Sequence, residues 1–285
     1  MLAGSPGGSV NPPRRWRPSP LLLASAALHV LLVPLLVAWP RHWPWLVAAL
    51  VVDHLLLTAA GLWPRSRVLG PNLRRLPPSA ACRGEVALTI DDGPDPEITP
   101  QVLDILEHHG ARASFFCIGT RAETHPALIA DIARRGHSIE NHSQHHRHGF
   151  SLLGPWRMHA EIAAAQRSLQ RLAGRPPRYF RAPAGLRNPF LEPVLARLGL
   201  DLASWTRRGF DTRVGDPERV LARLVRDLDA GDILLLHDGH AARDPDSGSA
   251  VILVVLPRLL EALDAAGLSA VTLPRPGAQD RSTVA

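Results

Sequence analysis

Apolar residues along this chain follow two regimes, and the change falls near residue 64. Leu21 to Trp39 is almost wholly apolar, broken by His29 and Pro34, and a second such run spans Trp45 to Trp63 after Pro40-Arg-His-Trp-Pro44. Each approaches the roughly 20 residues that cross a bilayer, with tryptophans at the ends as interfacial anchors. Residues 21–63 are therefore predicted to form a transmembrane hairpin; two amphipathic segments lying on the bilayer surface are the alternative. A cleaved signal peptide fits poorly, because the first run is long and another follows at once. Asp53 and His54 interrupt the second run, where an ionised group is costly. In an antiparallel hairpin Asp53 would lie level with His29, which predicts a pair between them.

From Glu85 onward short β-like runs alternate with helical patterns. The runs are Val86–Ile90, Ala113–Ile118, Ser138–Glu140, Tyr179–Arg181, Leu200–Trp205, Ile233–Leu236 and Ala270–Leu273. One helix is predicted to open at Thr99-Pro100 and close at Gly110; others close at Gly136, Gly174, Gly199, Gly231 and Gly267. Strand–helix alternation with short links implies parallel strands covered by helices. The prediction is an α/β fold over residues 85–275, a distorted (β/α)7-type barrel preceded by the N-terminal two-helix transmembrane hairpin.

Composition refines the flanks. Residues 1–20 are rich in Gly, Pro and Arg and read as a disordered N-terminus, and residues 276–285 as a disordered tail. Residues 64–84 form a basic, proline-rich linker, suited either to an anionic lipid surface or to plain solvent. The formal charge is +6, yet the arginines are scattered with no five-residue basic run, so nucleic acid is not expected as a partner. Cys82 and Cys117 lie in unlike contexts, outside any CxxC pattern, and are expected to be free thiols.

Chemistry-bearing residues collect where strands end. Asp91 and Asp92 follow the first strand in Thr89-Ile-Asp-Asp-Gly-Pro-Asp95, and His142 and His146 follow the third in Asn141-His-Ser-Gln-His-His146. Arg181 ends the fourth, Asp211 follows the fifth, and His237 ends Gly231-Asp-Ile-Leu-Leu-Leu-His237. One carboxylate and two histidines spaced i, i+4 suit a divalent metal with an open site, and the second aspartate is then free to act as a general base. Each motif alone has a bland reading: an acidic turn, a solvated histidine loop, a structural ion pair. Their shared rim argues for an active site. His145 and His148 read as bystanders, and His108, His109 and His125 as helix surface.

These segments resemble the polysaccharide deacetylase family, the NodB-like family 4 carbohydrate esterases, over roughly residues 85–275. The family pattern is T-[FY]-D-D-G-P, H-[ST]-x-x-x-H, R-x-P-x-G, an aspartate-bearing loop and L-x-H. The resemblance implies Asp92, His142 and His146 as metal ligands and Asp91 as general base. It implies Arg181 as the partner that holds Asp91, His237 as general acid and Asp211 as its orienter. Leu235 would line the pocket for the acetyl methyl. The implied cofactor is a divalent metal, zinc or else cobalt or another ion, and the implied reaction is removal of an acetyl group from a sugar.

The chain departs from the pattern at three places. Ile90 replaces an aromatic, Ala184 stands where a large aromatic often flanks the cleft, and Thr212 follows Asp211 where tryptophan is common. Trp205 or Phe210 would then supply the missing wall, and a backbone N–H near Ala184 would face the developing oxyanion.

The expected substrate is an acylated sugar, a polysaccharide or a lipid-linked saccharide, with membrane lipids as further partners; oligomeric state is left open. A deformylase or deacetylase of a lipid-carrier-linked sugar is one rival, and a non-catalytic carbohydrate-binding or scaffold protein another. Arg14, Arg15 and Arg17 before the hairpin, with Arg65 and Arg67 after it, outnumber Arg41 between the helices. The positive-inside rule then predicts the barrel on the cytoplasmic face of the cell membrane; if only one run spans, the barrel would instead lie outside.

Overall fold

A computed structural model describes residues 11–275. Two helices open it, α1 (Pro20–Ala38) and α2 (Trp43–Leu62), joined by a 3-10 turn at Pro40–His42. Both are long and apolar enough to cross a membrane. Eight strands follow: β1 (Glu85–Asp91), β2 (Ser114–Cys117), β3 (Ser138–Asn141), β4 (Tyr179–Phe180), β5 (Asp201–Leu202), β6 (Arg207–Arg208), β7 (Ile233–His237) and β8 (Ser269–Val271). Their order is β5-β4-β3-β2-β1-β7-β6, with β8 also on β1, and every pairing is parallel. This is the expected curled α/β barrel, with one strand, β6, that the sequence pattern did not show. Two consecutive arginines carry no hydrophobic alternation from which to read a strand.

Strand periodicity positions the site. Leu88, Ile90, Leu234 and Leu236 pack outward with Leu103, Leu106, Val255 and Leu259 of the covering helices. Alternate residues point the other way. Ala87, Ile233 and Leu235 pack with Phe116, Tyr179 and Trp205 in a second cluster. By the same parity Asp91 and His237, which pair across β1 and β7, end their strands on that inner side.

Among the described residues no pairing joins β5 to β6, and the seam is filled from the segment predicted to be a linker. The Leu73 N–H donates to Leu202 O at 2.9 Å, the Ser204 N–H donates to Leu73 O at 2.8 Å, and the Leu76 N–H donates to Gly231 O at 2.8 Å. Ser66, Leu69, Leu76 and Ala80 are buried. Residues 64–84 are therefore part of the barrel rather than a free linker, because their backbone satisfies donors and acceptors the open seam would leave bare.

The N-terminus also departs from expectation. Residues 1–10 and 276–285, read as disordered, lie outside the described residues. Of residues 11–19, read the same way, Asn11, Pro12 and Arg14 lie against the barrel. The Arg14 N–H donates to Ala196 O at 2.9 Å, and its guanidinium meets Glu192 at 2.7 Å. A buried carboxylate explains the order: Glu192 is nearly enclosed and needs a cation. Both ends of the hairpin are thus held by the barrel.

Within the hairpin Asp53 is buried, but its partner is not His29. The Ser25 hydroxyl donates to Asp53 Oδ2 at 2.8 Å. Ser25 lies one turn before His29, whose Nδ1 is engaged by the Ser25 carbonyl at 2.8 Å. The shorter side chain lies closer to the helix–helix seam and takes the carboxylate.

Candidate active site

Asp91, Asp92, His142, His146 and His237 line one cavity of about 240 Å³ at the carboxyl ends of the strands. Leu235, Ala184 and Trp205 line it too, whereas Phe210 does not. His148, read as a bystander, also faces it. Arg181 and Asp211 lie behind the wall, each touching a residue that faces inward.

Asp92 is the meeting point. Its Oδ1 is 3.1 Å from His142 Nε2 and 3.1 Å from His146 Nε2. His142 Nδ1 is 2.8 Å from the Arg181 carbonyl, which can only accept, so Nδ1 carries a proton and Nε2 is the atom turned toward Asp92. Burial pushes His146 down to about 4, so its ring is neutral near neutral pH, whereas the Asp91 and Asp92 carboxylates outweigh burial at His142 and raise it. Asp92 Oδ1 is buried and makes no hydrogen bond. Two imidazole nitrogens and a carboxylate oxygen that lacks a hydrogen-bond partner converge in an arrangement that a divalent cation, displacing any proton, satisfies. Asp92 and His146 both adopt left-handed backbone conformations, φ 75° and 49°, of the strained kind that recurs at ligand sites.

Asp91 is turned away from that point and held by Arg181. Arg181 Nη1 donates to Asp91 Oδ1 at 2.6 Å and to Thr89 Oγ1 at 2.9 Å, and Nη2 donates to Ser204 O at 2.9 Å. The guanidinium also stacks on Phe116, 4.0 Å from the ring centre. Asp91 Oδ2 is left 3.8 Å from His142 Nε2, at the edge of the histidine cluster.

His237 stands opposite, with Nδ1 2.9 Å from Asp211 Oδ1; the other Asp211 oxygen takes the His237 N–H at 2.7 Å. Burial alone would lower the His237 pKa, but the adjoining Asp211 carboxylate reverses the sign and raises it. Nε2 is thereby left toward the cavity.

Two further residues meet Asp92 that no sequence motif had singled out. His240 Nδ1 lies 3.3 Å from Asp92 Oδ2, and its Nε2 lies 2.9 Å from Arg121. Arginine can only donate, so the His240 proton must sit on Nδ1, aimed at Asp92. Arg121 also donates to the Asp92 carbonyl at 3.0 Å. The string His237-Asp-Gly-His240 carried the signal for His240; nothing marked Arg121.

Residues 79–203 match the family model described as polysaccharide deacetylase. A chitooligosaccharide deacetylase of Azorhizobium caulinodans is 33% identical over 198 residues, covering 67% of this chain and 94% of that protein. The chain belongs to the polysaccharide deacetylase family. As a deacetylase it is a hydrolase of non-peptide carbon–nitrogen bonds. A peptidoglycan-N-acetylglucosamine deacetylase of Bacillus cereus is 33% identical over 176 residues, 61% of this chain and 81% of that protein. Among solved structures, the family 4 carbohydrate esterase of Streptomyces lividans, in complex with acetate, superposes with a TM-score of 0.60. It is 32% identical, and the match spans 67% of this chain and 93% of that one.

Proposed function

We propose that this deacetylase removes the acetyl group from an N-acetylated amino sugar, with Asp91 as base and His237 as acid. The convergence of Asp92, His142 and His146 beside an arginine-clamped Asp91 carries the reading. The relatives named for chitooligosaccharide and for peptidoglycan N-acetylglucosamine support the same substrate chemistry.

Asp92, His142 and His146 would hold a divalent cation, zinc or else cobalt or another ion. When bound it supplies Lewis acidity toward the acyl carbonyl and a water of lowered pKa. Asp91, oriented by Arg181, accepts the proton that the attacking water gives up. The Ala184 backbone, at the cavity rim with φ 54°, offers an N–H toward the developing oxyanion. His237 Nε2 delivers a proton to the departing nitrogen, so the amine leaves neutral, and Asp211 keeps that ring protonated. Leu235 and Trp205 wall the space for the acyl methyl. A pure carbohydrate binder would need neither the clamped base nor the paired acid.

A lipid-linked sugar is a second reading, favoured by one contact. Pro64, two residues past α2, packs against Gly185 on the rim of the cavity. The site then opens beside the bilayer, on the cytoplasmic face if the arginine bias sets the orientation.

The test is acetate release from chitooligosaccharide by Asp91→Asn alongside its metal content. Loss of turnover with metal retained is expected; undiminished turnover overturns the assignment.

A further inference from the structure

Next to the catalytic cavity lies a second concavity of about 540 Å³, sharing Trp205 and Arg208 with it. It starts at Trp63 and Pro64, where α2 ends, and its charged lining is arginine alone: Arg65, Arg207, Arg208, Arg223 and Arg226. Arg207 is neutralised by Asp232 at 2.7 Å. Among the described residues, none of the other four meets a carboxylate.

Three of those four are nevertheless held in place. Arg208 and Arg223 both lie over the Phe210 ring, 4.9 Å and 5.4 Å from its centre. Arg223 also donates to the Gly209 carbonyl at 3.3 Å, and Arg65 to the Thr206 carbonyl at 3.1 Å. Arg208 Nε is buried without any hydrogen-bond partner. Like charges gathered this way repel one another, and a buried donor left unpaired costs free energy. An anion with several acceptor oxygens relieves both, and phosphate matches the planar guanidinium fork.

We propose that this groove binds the phosphate of a phosphate-linked N-acylated sugar, the acyl group reaching the catalytic cavity through the shared Trp205–Arg208 wall. The inference rests on the deacylase reading given above and names its substrate class. The phosphate can belong to a membrane lipid or to a soluble sugar phosphate. Its position at the end of α2 commits the site to the lipid-borne form.

The test uses the metal-loaded full chain in neutral phosphatidylcholine nanodiscs. Inorganic pyrophosphate is titrated calorimetrically into the wild type, Arg223→Gln/Arg226→Gln and Arg226→Gln alone. The cation site is common to all three, so any difference belongs to the groove. Arg226 is exposed, so its single variant keeps the test valid should the double variant fold poorly. Binding weakened at least tenfold in the double variant, and measurably in the single one, is expected. No binding, or equal binding by all three, overturns the proposal.

A kinetic arm compares N-acetylglucosamine carried on a polyprenyl diphosphate in vesicles, the soluble uridine diphosphate sugar and neutral diacetylchitobiose. A tenfold or greater preference for the vesicle-borne sugar, lost in the double variant, supports the lipid source. Preference for the soluble diphosphate overturns that source. Pyrophosphate binding that depends on the arginines, with no deacylation of any sugar, sinks the reaction and spares the groove.

Discussion

Arg181 and Asp91 meet at 2.6 Å inside the barrel, and the arginine is among the largest fully buried side chains. Removing one member of such a pair strands the other's charge. Arg181→Met should cost about 3–5 kcal/mol in denaturant unfolding and abolish measurable turnover. Asp91→Asn keeps an acceptor for the guanidinium and should cost less stability than Arg181→Met, while turnover is lost as completely.

The His237–Asp211 pair predicts a pH profile. Folding raises the His237 pKa, so the protonated ring stabilises the fold fully below its unfolded value of about 6.5. That contribution is lost as pH rises through the higher native value. Since the acid must carry its proton, the alkaline limb of kcat/KM should lie above an ordinary histidine's. Asp211→Asn should move that limb to lower pH. An unmoved limb would show that another group donates.

Metal affinity should depend on His240. Its proton ties up Asp92 Oδ2 and leaves Oδ1 for the cation, so His240→Ala should weaken zinc binding about 10–100-fold in a competition titration. Arg121→Ala should weaken it in the same direction, since the arginine fixes the tautomer that donates. Chelation should remove activity from the wild type, with zinc or cobalt restoring it.

Inside the hairpin, Ser25→Ala removes the hydrogen bond to Asp53. The cost should be about 0.6 kcal/mol, and no more than ~1.7 kcal/mol, in a helix-association assay. Reporters fused before Met1 and after Ala285 should score on the same side of the membrane, because residues flanking both helices contact the barrel.

Much of the site was legible because its residues close strands in recognisable strings, and strand parity then aims Asp91, Leu235 and His237 inward without further information. Seven of the strand regions had readable apolar runs. What stayed hidden acts through tertiary contact. Leu73 fills a seam that exists only once β5 and β6 are placed, so its segment passed for a linker. Arg14 looked like one of many scattered arginines until Glu192 was buried beside it. Asp53 found Ser25 because depth in a hairpin is decided by helix rotation as well as residue count. Arg121 sits in an ordinary helix opening, and only its reach to His240 and the Asp92 carbonyl distinguishes it.

The backbone stitches at Leu73 and Leu76 tie the segment after the two apolar helices to the barrel. A catalytic head on a loose leash would sweep a wide shell of solvent and harvest long polymers. Here the segment after α2 is riveted into the barrel wall, so with α1 and α2 in a bilayer the mouth would keep a set height and tilt over the lipid plane. Such an enzyme would wait for cargo delivered to one spot, and trimming the chain back to Glu85 would open the wall along with cutting the stalk.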